Sequence, residues 1–89
     1  MNELEALEKA IEIAGGQREL AERVTFEALK LGLVTQDRPI KQQHISNWKN
    51  REKRCPSKMA RAISLAVNSA VPPSLLRPDL YPTNFDQAI

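Results

Sequence analysis

Cysteine occurs once in this chain, at Cys55, and histidine once, at His44. A lone thiol excludes an intramolecular disulfide framework. One histidine and one cysteine fall short of the four ligands of a protein-only structural zinc site, so no metal and no other cofactor is expected. No apolar run approaches the roughly 20 residues needed to span a membrane, and the acidic N-terminal stretch is unlike a signal or transit peptide. There are no repeats, no low-complexity tract and no long strand pattern. The chain offers no cluster of nucleophile, base and oxyanion donor, which argues against an enzyme. The expectation is a soluble, reduced, cytoplasmic protein whose 89 residues make one small domain.

What is present is a segregated charge. The net charge of +2 hides it. Residues 1–29 carry three basic and seven acidic groups, for −4; residues 30–61 carry nine basic and two acidic, for +7; residues 62–89 carry one basic and two acidic, for −1. A basic segment in an otherwise acidic chain is either a directed polyanion surface or a solvated face.

The hydrophobic period is helical throughout. Asn2 with Glu5 forms a capping-box pattern, and Leu4, Leu7, Ile11 and Ala14 recur at helical spacing, which predicts a first helix over about 3–14. Gly15 and Gly16 stop it. QRELAERVTFEALK resumes the period at once, with Leu20, Ala21, Val24 and Ala28 inward and Gly32 as the stop. TQDRP is a polar turn, and a third helix is expected to begin near Pro39 and run to about Lys49 or Arg51. CPSKMARAISLAVNSA predicts a fourth, with Pro56 at its first position and Met59, Ile63, Ala66, Val67 and Ala70 buried. After Pro72 and Pro73, the leucines Leu75, Leu76 and Leu80 suggest one short helical turn and a strap across the core. The expected fold is all-α, a compact bundle of four to five short helices.

The stretch IKQQHISNWKNREKR, residues 40–54, is the most telling. Ile45 and Trp48 fall on one side of a helix and supply its docking stripe. Lys41, Gln42, Gln43, Ser46, Asn47, Lys49 and Asn50 cover the remainder. Amides of this kind pair with adenine edges, and Arg or Lys with guanine or phosphate, so the helix suits the DNA major groove. Lys49, Arg51, Lys53 and Arg54 cluster just after it and are expected to meet phosphate. Trp48 reads as core rather than a base-stacking platform. His44 is either a base contact, a pH switch or a plain surface residue. Cys55 beside Pro56 reads as a buried helix-start residue, with a redox thiol as the other reading.

GGQRELAERV followed by QQHISNWK resembles the two halves of a Cro-like helix-turn-helix. Gly15–Gly16, Trp48, Arg54–Cys55–Pro56 and Leu76–Arg77–Pro78–Asp79 stand in the order of the corresponding marks in the YdaS-type prophage regulators, described as antitoxins or Cro-like repressors. The resemblance covers roughly residues 4–82 and implies a lambda-repressor-like helix-turn-helix fold. By carry-over it places the base-reading positions at Lys41, Gln42, Gln43, Ser46, Asn47 and Asn50. Gln17 and Arg18, at the start of the supporting helix, then join the phosphate contacts. It also implies Ala21 as the small residue where the two motif helices approach. One departure stands out: TFEALKLGLVTQDR, residues 25–38, replaces the family's tight turn. Its apolar residues Phe26, Leu29, Leu31, Leu33 and Val34 either enlarge the protein's own core or make a dimer contact.

The domain reading is therefore residues 1–82 as a helix-turn-helix domain carrying the 25–38 insertion, with 83–89 a partly ordered tail. The functional expectation is a sequence-specific transcriptional regulator, a prophage Cro-like repressor acting as a homodimer on a double-stranded DNA operator. The alternative is an antitoxin or adaptor whose main ligand is a partner protein, met through the apolar 26–34 segment. Arg77 and Asp79 are read as a structural pair fixing the C-terminal strap.

Overall fold

A computed structural model of the chain describes residues 2–81; the tail expected over 83–89 lies outside the described residues. The first helix, α1 (Glu3–Ala14), begins as a capping box: Asn2 Oδ1 accepts from the Glu5 amide at 2.8 Å, and Glu5 Oε1 accepts from the Asn2 amide at 3.1 Å. Two donors that a helix start leaves unpaired are thereby satisfied. The chain then reverses on Gly15 (φ 100°) and Gly16 (φ 135°), with both amides returning to the Ile11 carbonyl. L side chains rarely adopt either conformation, so only a glycine pair lets the next helix start this soon.

That next helix, α2 (Gln17–Lys30), is the hub of the bundle, packing against α1, α3 and α4. Leu20, Ala21, Val24 and Ala28 are all buried, as their spacing predicts. The insertion resolves into two parts. Thr25 to Lys30 continue α2 by more than a turn, and residues 31–41 form a loop. Leu31, Leu33, Val34 and Ile40 lie half-buried against the core, whereas Phe26 is 61% exposed with the Lys30 ammonium 4.6 Å from its ring centre.

Helix α3 (Gln42–Asn47) starts three residues later than Pro39 and runs without a break into a wide π turn, Trp48–Glu52. Lys53 ends it in the left-handed conformation (φ 63°). After Pro56 a 3₁₀ turn (Ser57–Met59) leads into α4 (Ala60–Ala66), and α5 (Pro73–Leu76) is the short turn expected after the prolines. Helix α4 ends earlier than its apolar period suggested. Asn68 and Ser69 take left-handed conformations, and the Ser69 amide returns to the Ser64 carbonyl at 2.8 Å. Asparagine tolerates that conformation better than most residues, so it closes the helix before Ala70. Ala70 is consequently exposed and Val71 is buried in its place; Leu80 is likewise exposed.

The core holds many alanines beside a few large residues: Ala6, Ala10, Ala21, Ala28, Ala60 and Ala62 surround Leu7, Leu20, Ile45, Ile63 and Leu76. Small residues let the helix backbones approach, and the branched ones fill what remains. Every element among the described residues is helical, and none is long and apolar enough to cross a membrane.

Candidate nucleic-acid interface

The candidate recognition element, α3 with its π turn, is anchored at its buried stripe and at its entrance. Ile45 is fully buried and Trp48 is 6% exposed, so the predicted docking stripe is the one used. At its entrance, the Thr25 hydroxyl accepts the Ile40 amide at 2.9 Å and lies 2.8 Å from the Ala21 carbonyl and 3.1 Å from the Ile40 carbonyl. A residue of α2 thus fixes where α3 begins. Sequence reasoning missed Thr25, because a threonine within a helical run carries no mark of its partner fifteen residues on.

His44 also has a role that the sequence left open. Its Nδ1 accepts the Lys41 amide at 2.9 Å, so it caps the start of α3. With Nδ1 acting as acceptor, the neutral ring carries its proton on Nε2, pointing a donor outward.

On the outer side the polar residues form two columns. Gln43 Nε2 donates to Asn47 Oδ1 at 3.1 Å, and Asn50 Nδ2 donates to Ser46 Oγ at 3.1 Å. A π turn, hydrogen-bonded i to i+5, advances less per residue than an α turn. It therefore brings Arg51 toward the Gln43–Asn47 column and keeps Asn50 over Ser46. Asn47, Arg51 and Glu52 line a shallow hollow of about 350 Å³ on this face. Gln42, Gln43 and Asn50 are exposed, Ser46 and Asn47 half-buried, and Lys41 exposed at the entrance. Five of the six sequence-predicted base-reading residues thus lie on this one element, and Lys41 sits at its N-cap. Glu52, which the sequence reading did not single out, lines the hollow beside them.

The phosphate candidates are less uniform. Arg51 and Lys53 are exposed and make no ion pair with a described residue. Arg54 Nη1 lies 3.4 Å from Glu3 Oε2, Lys49 Nζ 4.0 Å from Glu8 Oε2, and Arg18 Nε 3.3 Å from Glu22 Oε1. Surface pairs of this kind contribute about 0–1 kcal/mol, so phosphate can displace them at small cost. Gln17 is half-buried at the first position of α2, and the carboxylate of Glu19 folds toward Gly16 at the same helix end. A phosphate at Gln17 and Arg18 has that acid to displace.

Behind the interface, Arg77 is 9% exposed and ties the strap to the chain segment leaving the π turn. Its Nε and Nη2 donate to both oxygens of Asp79 at 3.0 and 2.8 Å, and its Nη1 donates to the Cys55 carbonyl at 3.2 Å. The two-pronged hydrogen bond from Arg77 holds the Asp79 carboxyl below the usual carboxylate range, and Asp79 in turn raises Arg77 further. Burial pushes the Cys55 thiol up to about 12, against the weaker opposing pull of Arg77. A thiol that resists ionisation is a poor nucleophile, which favours the structural reading of Cys55 over the redox one.

The family described as "Bacterial toxin YdaS" matches residues 34–85, more than half of the chain, from the loop before α3 through α3, its π turn, α4 and α5. No curated protein and no solved structure matches the chain.

Proposed function

The chain belongs to the YdaS family, and we propose that it is a sequence-specific DNA-binding regulator of the prophage repressor type. In this reading the α3–π-turn element enters the major groove, with α2 as its supporting helix. The observation that carries it is the set of outward hydrogen-bonded pairs, Gln43–Asn47 and Ser46–Asn50, with Arg51 beside Asn47, on an element whose opposite side is clamped by Ile45, Trp48 and Thr25. Amides supply the donor–acceptor pairs that adenine edges require, and Arg51 suits guanine or phosphate. Lys53, Arg54, Lys49, Arg18 and Gln17 set register through the backbone of the duplex. No catalytic step, metal or cofactor enters this reading, and the protein acts in the cytoplasm.

A single short helix reads few base pairs, so the reading includes a homodimer on an inverted repeat with half-sites about 34 Å apart or a multiple of it. The word "toxin" in the family description is compatible with a regulator of a toxin–antitoxin or prophage locus.

The test begins with selection of bound duplexes from a random pool, followed by competition between the selected site and scrambled DNA at several salt concentrations. Gln43→Ala and Asn47→Ala are expected to lose about 1–3 kcal/mol on the selected site and little on scrambled DNA. Arg51→Ala and Lys53→Gln are expected to weaken both, each reducing the salt slope by about one unit. A pool that yields no enriched site, or amide variants that leave the preference unchanged, refutes the reading.

A further inference from the structure

We propose that the groove between the 33–40 loop, α3 with its π turn, and the 56–59 turn docks an acidic amphipathic helix from a partner protein. The groove has a volume of about 400 Å³ and a floor made by Leu33, Val34, Ile40, Trp48 and Met59. Leu33, Val34 and Ile40 are half-buried, packed on the core by one side and open to the groove by the other. A hollow of this size suits large apolar anchor residues projecting from one face of a helix, in the manner of helix-in-groove recognition.

The rim fixes the charge of the occupant. Arg38, His44 and Lys58 line it, and no carboxylate does among the described residues. The Arg38 guanidinium and the Lys58 ammonium make no ion pair with a described residue. Lys9, Arg18, Lys30, Lys49 and Arg54 each lie within 4.0 Å of a carboxylate. Arg51 and Lys53 are without an ion pair to a described residue as well, but Arg51 lines a hollow with Asn47 and Glu52, whereas Arg38 and Lys58 border an apolar floor. Unpaired cations above a hydrocarbon floor call for a ligand that is apolar on one face and acidic beside it. Duplex DNA would satisfy the rim and leave the floor uncovered, so the rim and floor together favour the peptide.

The groove exists because of the loop that joins α2 to α3. Its wall, Leu33 to Ile40, is held against α2 by the Thr25–Ile40 hydrogen bond and by packing on the core. The surface is independent of the DNA-reading columns, which occupy another side of the same element. Binding there can therefore succeed or fail whatever the outcome with DNA.

The experiment uses the full chain and two synthetic helices of about four turns. Both carry leucines at i, i+3, i+4 and i+7; one has glutamates and the other lysines at the remaining positions. Trp48, the only tryptophan, lies in the groove floor and reports occupancy by fluorescence, while amide chemical shifts locate the contact. Saturable binding of the glutamate helix is expected, with shifts at Leu33, Val34, Ile40 and Met59 and about tenfold weaker binding of the lysine helix. In the variant carrying Arg38→Glu and Lys58→Glu, both exposed positions, the preference should invert while the melting temperature holds. Three outcomes overturn the proposal: neither helix shifts the groove residues, both bind alike, or random-sequence duplex occupies the groove and displaces the glutamate helix.

Discussion

Replacing Thr25 by valine keeps the side-chain shape and deletes the hydroxyl that joins α2 to the start of α3. The Ile40 amide then loses its acceptor at 2.9 Å, in a part-buried position where an unpaired donor costs about 1–3 kcal/mol. A small gain offsets this, because a threonine hydroxyl bonded to the carbonyl four residues earlier mildly destabilises its own helix, and that contact to Ala21 disappears too. The net expectation is a loss of about 1–2 kcal/mol. At this chain length each kcal/mol lowers Tm by about 4–8 °C, so circular dichroism should show a fall of about 5–15 °C. Hydrogen exchange adds a local readout: the Ile40 amide should exchange faster than its neighbours in Thr25→Val, and Thr25→Ser should restore its protection. If Thr25→Val melts with the parent and its Ile40 amide stays equally protected, the hydroxyl is not the clamp, and hydrophobic packing of the loop alone positions α3.

Trp48→Ala should cost about 3–5 kcal/mol in urea unfolding, a large share of what a domain this small can spare; a stable variant that loses only DNA binding would contradict its buried placement. Asp79 is held below the ordinary carboxylate range by Arg77. Its stabilising contribution is therefore present above the ordinary aspartate value of 3.8 and is lost as the pH falls through its lower folded value. Acid titration of stability should accordingly flatten in Asp79→Asn, and an unchanged acid limb would place the strap's anchor elsewhere. For Cys55, whose thiol is pushed up to about 12, iodoacetamide at pH 8 should label the unfolded chain and spare the folded one; equal rates in the two states would mean the thiol is accessible. The folded value is the higher one, so the stability that the protonated thiol lends is complete below its ordinary value of 9.0. It declines from there toward about 12, a decline that Cys55→Ala should lack.

Local chemistry by itself determined much of this protein. The capping box at Asn2, the glycine pair after Ala14 and the prolines before Ser74 each act over a few residues, so α1, the start of α2 and α5 were legible to within a residue or two. The buried stripes of α2 and α3 followed from period alone, since a 3.6-residue repeat assigns a face before any partner is known. In α1 the stripe is turned, with Ala6 and Ala10 buried beside Leu7 and Ala14 while Leu4 and Ile11 are only half-buried, because small alanines face the closest neighbouring helix. The Arg77–Asp79 pair was readable because its partners are two residues apart.

Tertiary structure decided whatever depended on distant partners or on competition between endings. The end of α4 turned on Asn68 and Ser69 leaving the helix while the apolar pattern still favoured continuing it. The π turn at Trp48–Glu52 altered which residues share the outer columns, and an α-helical period cannot anticipate that shift. Thr25 became a clamp and the 33–40 loop a groove wall only when residues fifteen or more apart met in space, whereas the His44 cap is local but uses a side chain that residue type alone leaves open to several roles. Sequence could assign this chain a polar, basic helix over the 40s, because residue type and period are local properties. How that helix is held, and the groove on its flank, required the fold, because hydrogen bonds and cavities are made between segments that do not know of each other along the chain.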